Sequence, residues 1–75
     1  MSPRTPRLTA RQIERILNRH GFEFVSQRGS HRKWRHPQRQ RQVIVPMHAN
    51  RPLPIGTLRN IMSGAGLPEQ AWEQS

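Results

Sequence analysis

At 75 residues, 32% of them hydrophobic, with Phe22, Phe24, Trp34 and Trp72 as its aromatics, the chain can build one small core and is a single domain over 1–75. Thirteen Lys and Arg stand against four acids, a formal charge of +9 and a pI near 12.0, and no acid lies between Glu23 and Glu69, so the composition points to polyanions: RNA, DNA, an acidic membrane surface or an acidic protein. The lack of cysteine excludes a disulfide framework and a thiolate metal site, and with no apolar run of transmembrane length and no signal-peptide segment a soluble cytoplasmic protein without membrane contact is expected.

Met1 to Arg7, with Pro3 and Pro6, reads as a flexible basic arm. Thr9 and Gln12 form a capping-box pattern, and Ile13, Ile16, Leu17 and His20 recur at helical spacing before Gly21, which predicts a first helix from about Ala10 to His20. Arg11, Arg15 and Arg19 form a stripe along its other side, read as a solvated face. Phe22–Arg28 and His31–His36 are predicted to form a hairpin over Gly29-Ser30, and Gln42–Pro46 adds a third antiparallel strand after the turn at Pro37–Gln40. A two-residue turn puts Val25 and Gln27 with Trp34 on the core face and leaves Phe24 on the opposite face beside Ser26 and Lys33, exposed for stacking or partner contact. Met47 to Leu53 reads as a loop holding His48, Asn50 and Arg51, and Pro52 and Pro54 stop any further strand. Ile55, Leu58, Ile61, Met62 and Ala65 make the apolar stripe of a second helix, ended by Gly64 and Gly66. Residues 68–75 form a short turn or tail, where Trp72 is left open between docking on the second helix and lying in a partner's groove. The expected class is α+β in the order α-β-β-β-α, a three-stranded antiparallel sheet with both helices on one face and the other face free for a ligand.

Alternation along the second strand places His31, Lys33 and Arg35 on that free face and Arg32, Trp34 and His36 on the other, with Arg28 opposite His31 across the turn. An imidazole exchanges protons near neutral pH, and guanidinium or ammonium groups beside it hold phosphate, so phosphodiester chemistry is a candidate. On the residues alone His31 stands between a proton carrier and a polar turn residue that binds phosphate without catalysis. His48 is read as a loop-fixing residue held by hydrogen bonds rather than a second proton carrier, and His20 and His36 as structural. His31 and His36 do not form a zinc pattern, and no metal and no cofactor is assigned. Trp34 belongs to the core rather than to a base-stacking platform.

Gly21-Phe22, Gly29-Ser30-His31, Arg35-His36-Pro37, Val45-Pro46-x-His48 and Gly56-Thr57-Leu58-Arg59-x-Ile61, in this order and spacing, closely resemble the HicA family of toxin-antitoxin toxins from about the first helix to Leu67. The resemblance implies a double-stranded-RNA-binding-domain-like fold, metal-independent endoribonuclease cleavage of messenger RNA, and inhibition by a HicB-type antitoxin that covers the active site. The active histidine it implies is His31, with Gly29 and Ser30 beside it; Arg28, Lys33 and Arg35 are added from the charge pattern as groups that position phosphate. Arg51-Pro52-Leu53-Pro54 and the proline-bearing start depart from the commoner family pattern. Two other classes of function fit the composition: a non-catalytic RNA-binding module of the same fold, and a basic protein whose ligand is an acidic partner.

Overall fold

The computed structural model describes residues 7–73, so the basic arm expected at the start lies, apart from Arg7, outside the described residues. Helix α1 spans Ala10–Arg19 and begins as its sequence predicts. The Thr9 hydroxyl accepts from the Gln12 backbone N–H while the Gln12 side chain accepts from the Thr9 N–H, so two of the donors left orphaned at a helix start are satisfied. Leu8, just outside the cap, and Ile13, four residues into the helix, are both fully buried, the arrangement of a hydrophobic staple. His20 is the C-cap, one residue beyond the helix. Gly21 follows with φ +92, and a Cβ there would stand 2.8 Å from the His36 ring, so both backbone and packing call for glycine.

Strands β1 (Glu23–Arg28), β2 (His31–His36) and β3 (Arg41–Pro46) form an antiparallel meander in that spatial order. Val43 and Val45 point into the core while Ile44 between them is exposed, the alternation of a sheet covered on one face. Helix α2 (Ile55–Ala65) packs chiefly against β3, with Leu58, Ile61 and Ala65 buried, and α1 shares the same core. Arg41, at the start of β3, donates to the Ser63 and Gly64 carbonyls, placing a cation on the negative end of α2. The proline-rich stretch before α2 is anchored rather than loose: Leu53 is buried, its N–H donates to the Leu8 carbonyl at 2.8 Å, and Pro52 bridges Thr9. A short 3-10 turn, Glu69–Trp72, packs against α1 and buries Trp72 completely in the chain's own core, whereas the sequence leaves it open between the second helix and a partner's groove. The order α-β-β-β-α with two helices on one face of a three-stranded sheet is the double-stranded-RNA-binding-domain-like α+β fold.

One part of the expected register is wrong. Phe24 pairs with Trp34 and Ser26 with Lys33, so Val25 is an extra, bulged residue between them. The bulge shifts Phe24 from the cationic face to the helix-side face, where its ring meets Trp34 edge-on at 5.9 Å and lies 4.2 Å beneath the Arg32 guanidinium. Val25, expected in the core, is half exposed instead. Periodicity assumes uninterrupted pairing, and a single unpaired residue inverts the faces of everything before it.

Candidate active site

The turn between β1 and β2 has the expected two residues, with Gly29 at φ +58 in its first central position and Arg28 registered with His31. Glycine at that position supplies the positive φ that matches turn twist to strand twist. Two contacts pin the turn: the Gln27 side-chain amide donates to the Gly29 carbonyl at 2.9 Å, and the Met47 N–H, just past β3, donates to the Ser30 carbonyl at 2.7 Å. Both turn residues that precede His31 are thereby held.

Beyond the turn, the face of the sheet away from the helices carries the residues that the alternation predicts. Arg28, His31 and Lys33 line one open groove of about 510 Å³ together with Ser26, Gln27 and Ile44. Gly29 and Ser30 shape the turn without lining that groove, and Arg35 sits further along β2, registered with Glu23 on one side and Gln42 on the other. Arg28, His31, Lys33 and Arg35 make no side-chain hydrogen bond or ion pair among the described residues. Their donors are therefore free to meet an anion, and no acid has to be displaced from the groove first. Ile44 escaped the sequence reading, although the Val43-Ile44-Val45 alternation carries the signal for it.

The third cation of β2 has a different task. Arg32, on the helix side, donates its Nε to Glu14 Oε2 and its Nη1 to Gln27 Oε1 at 2.9 Å, and Glu14 Oε2 also accepts the Trp34 indole N–H at 2.7 Å. Glu14 is a second residue that the sequence did not single out. A lone acid among the arginines of α1 was the only available signal, because its two partners are distant in sequence.

Of the remaining histidines, His36 is buried as expected of a structural residue: its Nδ1 accepts the Gln38 and Arg39 backbone N–H groups, and its ring meets Phe22 edge-on at 5.2 Å. His48 departs from its expected role. Its side chain is exposed with no hydrogen bond among the described residues, and the loop is closed instead by its backbone carbonyl, which accepts the Arg51 N–H at 3.0 Å. Among the described residues no three of His, Cys, Asp and Glu gather where they could hold a metal ion, and no helix is long and apolar enough to cross a membrane.

Compared with known families, residues 10–67 match the model of the HicA toxin of bacterial toxin-antitoxin systems. No curated protein matches the chain. The matched span runs from the first residue of α1 to just beyond α2, and so includes the sheet, the pinned turn and the open cationic face; by that match the chain belongs to the HicA family, the toxins of bacterial toxin-antitoxin systems.

Proposed function

We propose that this toxin is a metal-independent endoribonuclease that cleaves messenger RNA in the cytoplasm, with His31 as the proton carrier, and that a HicB-type antitoxin holds it inactive. The observation that carries the reading is the imidazole of His31 at the pinned end of a face whose nearest cations are Arg28 across the turn and Lys33 two residues along β2, all three without side-chain partners among the described residues.

RNA contains its own nucleophile. Attack by the 2′-hydroxyl on the adjacent phosphorus requires removal of one proton, stabilisation of a crowded anionic phosphorane and protonation of the departing 5′ oxygen. His31 serves as general base on the 2′-hydroxyl or as acid to the leaving oxygen. Arg28 and Lys33 hold the phosphate, with Arg35 on the next stretch of backbone, and the Gly29-Ser30 turn presents the histidine. Flexible single strands are the favoured substrate because they reach in-line geometry easily. An antitoxin covering this face would bury the groove and cancel its charge together, which fits a partner with acidic groups.

The test is incubation of the purified protein, and of His31→Ala, with a labelled unstructured RNA in EDTA, followed by analysis of the product ends. Expected are a 2′,3′-cyclic phosphate and a 5′-hydroxyl from the parent, and cleavage about 100- to 10,000-fold slower from the variant. Products with 5′-phosphate ends, or equal cleavage by both proteins, would overturn the mechanism; binding without cleavage by both would leave an RNA-binding module.

A further inference from the structure

An in-line displacement has its incoming and leaving oxygens on opposite sides of phosphorus, and one imidazole cannot serve both at the same moment. Four histidines are present. His36 is buried and engaged by two backbone N–H groups, and His20 caps α1 away from the groove-forming hairpin. That leaves His31 and His48 as exposed rings without partners among the described residues.

His48 stands at the same end of the sheet as His31. Pro46, the last residue of β3, is registered with His31, and the Met47 N–H to Ser30 carbonyl bond carries the chain alongside the hairpin turn for one residue more. Met47, the first residue past β3, packs its side chain against the core, and His48 after it is exposed, the same inside-then-outside order that Val43 and Ile44 show within the strand. His48 follows Pro46 by two residues just past the end of β3, and a two-residue offset between paired strands spans about 7–8 Å, a gap that a phosphodiester linkage can occupy. Immediately after His48, Ala49 has φ +51 in a turn closed by the Arg51 N–H to His48 carbonyl bond. A non-glycine residue held in that region is strained, and such strain clusters where a side chain must be presented.

We propose that His48 is a second catalytic proton carrier of this site, giving its proton to the departing 5′ oxygen while His31 takes the proton of the 2′-hydroxyl. The inference rests on the ribonuclease reading above. The 2′ oxygen bonds to phosphorus, the bond from phosphorus to the 5′ oxygen breaks, and the enzyme gains one proton at His31 as it loses one at His48. Exchange with solvent restores both.

A substrate with sulfur in place of the 5′ bridging oxygen separates the two roles, because a thiolate leaves without needing a proton. His48→Ala and His48→Gln should cleave all-oxygen RNA about 100- to 1,000-fold more slowly than the parent yet cleave the sulfur-linked RNA within a few-fold of it. His31→Ala should be slow on both substrates. Affinity for a 2′-deoxy analogue, read by fluorescence anisotropy, should be unchanged in the His48 variants. Equal slowing of both substrates by loss of His48, or no slowing of either, would overturn the proposal. Failure of the parent on both substrates would instead bring down the ribonuclease reading, and this proposal with it.

Discussion

Glu14 shows how much a single polar atom can organise in a small core. Its Oε2 accepts both the indole N–H of Trp34 and the Arg32 Nε, so the buried tryptophan has its partner and one cation of β2 is already neutralised by an acid. Glu14→Ala strands the indole N–H in a site where Trp34 is 6% exposed. A buried donor left unpaired costs about 1–3 kcal/mol, which in a domain of this size lowers the thermal midpoint by roughly 4–8 °C for each kcal/mol. Glu14→Gln keeps an acceptor and should lose less; equal melting of parent and both variants, followed by circular dichroism, would show that the network contributes nothing. At this scale His31, Arg28 and Lys33 were legible because turn chemistry and alternation fix their positions within a few residues. Glu14 was not, because Trp34 lies 20 residues away and no local rule connects the two.

Among the elements, the hairpin and α2 contain a paired test of backbone conformation. Gly29 and Gly56 both have open space where a Cβ would stand, but only Gly29 has positive φ. Gly29→Ala is expected to destabilise by about 1–2 kcal/mol, the penalty of a left-handed L-residue. Gly56→Ala, in the first turn of α2, is expected to stabilise by about 0.5–1 kcal/mol through helix propensity. Urea titration of both variants measures the two shifts, and shifts of the same sign would mean that steric surroundings, not φ, decide. The capping box, both helices and all three strands were legible for a similar reason: each signal lies inside a window of about a dozen residues. The bulge at Val25 was not legible. Val and Phe suit a paired strand equally well, and only the demand that Phe24 cover Trp34 selects the extra residue.

For the molecule as a whole, the two faces of the sheet divide the work. One closes the core under α1 and α2, and the other leaves Arg28, Lys33 and Arg35 without partners among the described residues. A single core of this size supplies about 3–5 kcal/mol in total, so its largest buried side chain matters greatly. Trp72 is fully buried, and its Nε1 has no hydrogen-bond partner among the described residues. Trp72→Ala should cost about 3–5 kcal/mol and leave much of the protein unfolded at room temperature. Trp72→Phe, which forfeits no hydrogen bond, should retain a cooperative transition, and a folded alanine variant in near-ultraviolet circular dichroism would show the 3-10 turn to be dispensable.

Sequence alone determined the local chemistry: a strongly basic chain, a glycine-led turn beside His31, alternation that collects Arg28, His31 and Lys33 on one face, and helices with readable caps. These follow from backbone sterics and side-chain periodicity, which act between near neighbours. Tertiary structure alone decided that a bulge moves Phe24 to the face of Trp34, that Glu14 joins α1 to β2, that Trp72 closes the core, and that the chain carrying His48 runs beside the turn of His31. Each joins segments far apart in the chain, where the free energy of burial and of satisfying buried polar groups chooses among pairings that local pattern leaves equal.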